Sequence, residues 1–241
     1  MKTAFLVLLS LCCLLGCAKT AQTGQQLFTQ NTDTTTKLTN KTTLQYLALG
    51  DSYTIGESVE PAQSFPYQLK TVLTGQGYTV ADPRIIAVTG WTTTNLIDAI
   101  AQAKLTQKYD FVTLLIGVNN QYQGKSQAQY RTEFVQLLNT AITFANGNKK
   151  HVFVLSIPDY SVTPFAQNSD KAKIASEIDQ FNDINLYEST NAGVNYLNIT
   201  GISRQADTDP TLIAVDGLHP SAKMYSLWVA GLAPMVANNL K

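Results

Sequence analysis

Five short apolar runs, separated by segments of helical period, constrain this chain more than any other feature. The runs are Leu44 to Leu49, Arg84 to Val88, Asp110 to Ile116, His151 to Ile157 and Val194 to Ile199. The segments between them carry apolar side chains three and four residues apart, the spacing of one helix face. Phe65 to Leu73 is the first, and Leu96, Ile97, Ile100 and Ala101 mark the second. Tyr130, Phe134, Leu137, Leu138 and Ala141 mark the third, and Ile174, Ile178 and Phe181 the fourth. A last helix, with Tyr225, Trp228, Val229 and Leu232 inward, opens at Pro220 and Ser221 after an irregular stretch. Local punctuation agrees. Pro66 suits a first turn, Thr92 to Thr94 can cap, and Gly75, Gly77 and Gly193 can close helices. Strands alternating with helices predict a parallel sheet covered on both faces, a three-layer α/β/α sandwich. Right-handed crossovers follow by default.

In such a sheet, ligands bind beyond the carboxyl ends of the strands. Four runs end in glycine or polar clusters: Gly50-Asp51-Ser52, Thr89-Gly90, Gly117-Val118-Asn119-Asn120 and Pro158-Asp159. If the strands are parallel, these clusters meet on one edge. Ser52 then stands where a nucleophile could face solvent, with backbone N–H groups around it to face a reacting oxygen. Taken alone, Asp51 and Ser52 read equally as turn formers that bond nearby backbone.

A serine nucleophile needs a base, and the chain has two histidines. His151 starts the fourth run after Lys149 and Lys150, which puts it at the amino edge, away from Ser52. His219 lies in Val215-Asp-Gly-Leu-His-Pro220, with Asp216 three residues before it. In a turn that spacing lets the carboxylate reach one ring nitrogen and leaves the other for a serine. Asp216 to Pro220 could equally be a plain turn into a helix. Donors for a developing oxyanion are on hand in Ser52 N–H, Gly90 N–H and the Asn119 side-chain amide.

Together these residues resemble the conserved blocks of the SGNH (GDSL-type) hydrolases. Gly50-Asp51-Ser52-Tyr53 is similar to the nucleophile block, Gly90 to the second, Gly117-Val118-Asn119 to the third and Asp216-Gly217-Leu218-His219-Pro220 to the fifth. The resemblance spans Leu44 to the C-terminus. It implies a five-stranded parallel sheet in flavodoxin-like order. It also implies Ser52 as nucleophile, His219 as general base and acid, Asp216 as its orienting acid, and Ser52, Gly90 and Asn119 as the oxyanion hole. Two positions depart from the common pattern. Tyr53 replaces the leucine of the motif, and Asn120 stands where an aspartate often follows, which puts a supporting contact in question. No G-x-S-x-G elbow occurs, so the larger α/β-hydrolase family does not fit.

The N-terminus has a separate character. Lys2 precedes an apolar run from Ala4 to Leu15, shorter than a membrane span and laid out as a secretory signal. It ends in Leu14-Leu15-Gly16-Cys17, which resembles a bacterial lipobox with Cys17 as the lipidated residue. The expected organisation is a signal over residues 1–17, a tether over 18–43 and a hydrolase domain over 44–241. Ten of the 26 tether residues are threonine, and few are large and apolar. A lipid anchor places the protein outside the cytoplasm on the cell envelope. An ordinary cleaved signal, giving a secreted or periplasmic soluble protein, is the rival.

Composition removes several function classes. All three cysteines lie at or before Cys17, so residues 18–241 can hold no disulfide, Cys nucleophile or Cys-ligated metal. Seventeen basic residues balance seventeen acidic ones, so no positive field draws nucleic acid. No cofactor or metal is expected. The expected activity is hydrolysis of a small-molecule, lipid or glycan ester through an acyl-enzyme, with a short or acetyl acyl group. Acyl transfer to a sugar or lipid hydroxyl, and glycan or lipid binding without turnover, are the alternatives. Trp91, Tyr122, Tyr160 and Phe165 follow the active-edge clusters and are candidates for lining the substrate pocket.

Overall fold

The computed structural model of the protein describes residues 42–240. The chain enters the sheet as β1 (Tyr46–Gly50) and passes at once into a single helical turn, α1 (Ser52–Ile55). Next come α2 (Phe65–Gly75), β2 (Arg84–Ala87), α3 (Thr93–Ala103) and β3 (Phe111–Leu115). The short α4 (Val118–Tyr122) and the long α5 (Gln127–Phe144) lead to β4 (Val152–Leu155). α6 (Lys171–Ala192), β5 (Asn195–Leu197), α7 (Thr200–Ser203) and α8 (Ala222–Asn239) complete the order. The strands lie in the order β2-β1-β3-β4-β5 and every neighbouring pair is parallel. This is the expected flavodoxin-like sheet.

The apolar runs read as continuous, not alternating, because the inner strands are covered on both faces. Every residue of β1, β3 and β4 is buried, whereas the edge strands β2 and β5 are partly open. Each fully buried Leu or Val there contributes about 1.5–3 kcal/mol. α2 packs against α8, and α5 packs against both α3 and α6. Phe65 of α2 meets Tyr225 and Trp228 of α8 at ring-centroid distances of 6.4 and 6.3 Å.

The strands are shorter than their apolar runs. His151 falls in a 3₁₀ turn ahead of β4, where its Nε2 meets the Asn239 carbonyl at 2.9 Å. It is at the amino edge, as its position implied. Leu44 makes one isolated bridge to Val80 before β1 begins. In α3, Leu96 is buried, but Ala101 is exposed and does not share its face. At 3.6 residues per turn Ala101 lies about 140° round from Leu96, and Ala99 and Ala103 take the inward positions instead.

β1 sits between β2 and β3, so the chain crosses first to one side of it and then to the other. That reversal is the topological switch point where a crevice opens at the carboxyl edge. Gly50, the last residue of β1, pairs with Ala87 of β2 and Leu115 of β3. The three clusters carrying Ser52, Gly90 and Asn119 therefore leave the sheet side by side. The signal segment, Cys17 and the tether up to residue 41 lie outside the described residues. Among the described residues no helix is long and apolar enough to cross a membrane.

Candidate active site

The turn after β1 is built by its own side chains. Asp51 caps α1 and its Oδ1 accepts the Tyr53 N–H at 3.1 Å. Ser52 is thereby fixed as the first residue of the turn, and the Gly56 N–H closes it on the Ser52 carbonyl at 3.1 Å. Asp51 is fully buried, and its Oδ2 accepts no hydrogen bond of ordinary geometry. Burial pushes this carboxyl up to about 7, against the opposing pull of the N–H groups of Tyr53, Gly117 and Asp51 itself.

Ser52, Gly90, Asn119 and His219 line one cavity of about 150 Å³. His219 reaches it from the segment between α7 and α8. Its Nδ1 lies 2.6 Å from Asp216 Oδ2. The other carboxylate oxygen, Oδ1, accepts the backbone N–H groups of Leu218 and His219, each at 3.0 Å. An ionised carboxylate only accepts, so Nδ1 carries the proton and Nε2 is left as the acceptor. Partial burial works to raise the Asp216 pKa. Hydrogen bonds from His219, from the two backbone N–H groups and from the Ser58 hydroxyl outweigh it and hold the carboxyl well below the usual carboxylate range. Ser52 Oγ and His219 share the cavity wall without a hydrogen bond between them in this structure; such contacts often close only with substrate bound.

Gly90 has φ +83°, which glycine adopts without cost, and no atom lies within 4 Å of where a Cβ would be. Its backbone is therefore open to a ligand. Asn119 Nδ2 donates to the Trp91 carbonyl at 3.0 Å, which orients the amide and uses one of its two hydrogens. The other remains for the cavity. Tyr122, Tyr160 and Phe165 form a triangle of rings 6.0–6.2 Å apart on the wall. Trp91, expected beside them, does not line the cavity. Its ring is half-buried against the core, and only its carbonyl serves the site. Thr89, Tyr53, Val118 and Leu218 line the cavity without having been expected; each flanks a motif residue, which was the available signal. Among the described residues no cluster of three metal-ligating side chains occurs.

Asn120 resolves the departure from the common block pattern. It is fully buried; its Oδ1 accepts the Thr93 N–H at 3.0 Å and its Nδ2 donates to Thr93 Oγ1 at 2.7 Å. Thr93 Oγ1 in turn donates to the Glu133 carboxylate. With its one hydrogen committed to Glu133, Thr93 needs a donor from the β3 side, and the amide supplies one. The supporting contact between the β3 loop and α3 is thus made by Asn120.

Two predictions follow from these bonds. Asn120→Asp sets two carboxylates against one hydroxyl hydrogen and should cost about 1–3 kcal/mol. Adding Glu133→Gln reverses the donor direction and should restore much of that loss. Denaturant titration of the double-mutant cycle measures this, and additive losses would contradict it. For Asp51 the folded-state pKa of about 7 lies above the ordinary aspartate value of 3.8. The fold therefore gains from its protonation in full below about pH 4, and that gain is lost as pH rises through about 7. Asp51→Asn keeps an acceptor for Tyr53 without titrating. Its melting temperature relative to wild type should rise between pH 4 and pH 8; a difference independent of pH would contradict the assignment.

A family model for the GDSL-like lipase/acylhydrolase family matches residues 48–227, which include Ser52, Gly90, Asn119, Asp216 and His219. A search of curated protein sequences returned no match. Among solved structures, the chain is similar to the lipase/acylhydrolase from Enterococcus faecalis, at 20% identity and TM-score 0.64, covering 82% of this chain and 97% of that one. It is similar to the psychrotrophic esterase EstA from Pseudoalteromonas sp., at 15% identity and TM-score 0.58, covering 81% and 97%. It is also similar to Axe2, an acetylxylan esterase from Geobacillus stearothermophilus, at 16% identity and TM-score 0.58, covering 82% and 94%. At these identities the structures show a shared fold, while the family model covers most of the chain. This chain belongs to the GDSL-like lipase/acylhydrolase family and is a carboxylic-ester hydrolase.

Proposed function

We propose that the protein hydrolyses esters of short, neutral acyl groups through an acyl-enzyme on Ser52. The observation that carries this reading is the 2.6 Å contact between His219 Nδ1 and Asp216 in a cavity that His219 shares with Ser52. Ser52 Oγ attacks the ester carbonyl as His219 Nε2 takes its proton. Asp216, held ionised, steadies the imidazolium that forms. Ser52 N–H, Gly90 N–H and Asn119 Nδ2–H receive the oxyanion. His219 returns the proton to the leaving alcohol. It then takes one from water, whose oxygen attacks the acyl carbon, and Ser52 is regenerated as the acid departs.

The cavity wall supports the substrate class. It holds no Asp, Glu, Lys or Arg, so nothing there would pair with a charged acyl group. Its size favours acetyl to butyryl over long chains. EstA and Axe2 are named as esterases, Axe2 for acetylxylan, which is consistent with small acyl groups. For placement, we read Cys17 as a lipidated anchor on the cell envelope. The chain enters the described domain at the amino end of β1, on the sheet edge opposite Ser52.

A nitrophenyl-ester panel tests the substrate reading. Turnover should be fastest for acetate to butyrate and fall steeply by octanoate; a maximum at octanoate would contradict a short-acyl site. Ser52→Ala should abolish turnover with its circular dichroism unchanged, and Asn119→Ala should lower kcat about 10²–10³-fold. Turnover retained in Ser52→Ala would overturn the mechanism. Product analysis with a sugar or lipid alcohol present reads acyl transfer directly.

A further inference from the structure

We infer that Ser58 is a positioning residue for this reaction, fixing the Asp216 carboxylate relative to the loop that carries Ser52. The inference rests on the triad reading above. Ser58 Oγ donates to Asp216 Oδ2 at 2.7 Å, the same oxygen that receives His219 Nδ1–H. The other donors to this carboxylate, Leu218 N–H, His219 N–H and the His219 ring, all belong to its own loop. Among the described residues, Ser58 alone reaches it from a distant part of the chain, 158 residues away in sequence.

Ser58 is the third residue of a turn closed by the Val59 N–H on the Gly56 carbonyl at 3.2 Å, a position that glycine usually fills. Ser58 is exposed and has φ +64°, the left-handed region that glycine fills most easily. Only two other non-glycine residues among those described share this sign of φ, Lys104 and Asn146. Lys104 ends α3 in the left-handed cap position and Asn146 follows the cap of α5, so both do the ordinary work of closing a helix. Ser58 closes none.

The preceding residue ties the same segment to the rest of the site. Glu57 N–H donates to the Ser52 carbonyl at 3.1 Å. Its carboxylate accepts from Thr89 Oγ1, next to Gly90. Residues 57 and 58 therefore touch the nucleophile turn, the Gly90 loop and the acid. Removing the Ser58 hydroxyl leaves the Asp216 carboxylate hydrogen-bonded only within its own loop, with the Tyr53–His219 ring contact at 5.6 Å as the remaining tie between the ring and the nucleophile turn.

Two substitutions separate positioning from stability. Ser58→Gly removes the hydroxyl and relaxes the backbone. Its melting temperature should not fall, KM should stay within about twofold, and kcat should drop about three- to tenfold, the rate equivalent of one ordinary hydrogen bond. Ser58→Thr keeps the hydroxyl but places a β-branched side chain in the left-handed region. It should melt lower yet keep kcat within about twofold of wild type. Wild-type kcat in Ser58→Gly, or kcat losses that follow melting temperature in both variants, would overturn the inference. Ser52→Ala assayed alongside keeps the two readings apart. If it is inactive while Ser58→Gly is fully active, the positioning role alone fails; if it is active, the triad fails.

Discussion

The site depends on one close approach in the sheet. Gly50 ends β1 between Ala87 and Leu115, and a Cβ there would lie 2.1 Å from Thr54 Oγ1 and 2.3 Å from the Leu115 carbonyl. Any other residue would push α1 away from β3. With glycine, the nucleophile turn folds back tightly over the strand ends, and its neighbours emerge at matching heights. Three neighbouring parallel strands, β2, β1 and β3, thus fix where the Gly90 loop, the turn carrying Ser52 and the Asn119 loop begin. A packed sheet is a more rigid support than a loop, and catalytic geometry needs such support.

Two aspartates near Ser52 have opposite electrostatic settings. Asp51 lies under the turn with little to offset burial, and its carboxyl is pushed up to about 7. Asp216 lies in a loop rich in donors, and its carboxyl is held well below the usual range. Only the second suits an acid that must stay ionised while an imidazolium forms beside it. Asp51 instead shapes the turn by capping it. Environment divides the roles, as it does where two carboxyl groups share an active site.

Much of this was legible in the sequence because the deciding signals are local or periodic. Strands buried on both faces leave unbroken apolar runs, and helices on a sheet leave 3.6-residue stripes. The strand-end clusters and the Asp216–His219 spacing are short-range patterns. What escaped is long-range or too brief to carry a period. α1, α4 and α7 are one turn or little more, so no stripe could mark them. The Trp91 ring packs against the core and does not line the cavity, a placement set by tertiary packing and not by composition. Asn120 looked like a loss until Glu133, from a helix farther along the chain, supplied the charge that makes an amide the right partner. Ser58 is an exposed serine in a turn, and nothing nearby in sequence announces a bond to Asp216.

The central claim is that Ser52 is activated by His219 for attack on an acyl carbon. Covalent labelling tests it most directly. A fluorophosphonate probe incubated with the protein, followed by peptide mass mapping, should place one phosphonyl adduct on Ser52. His219→Ala should slow that labelling by orders of magnitude without unfolding the protein. Labelling at another residue, or at Ser52 with the same rate when His219 is absent, would contradict the account.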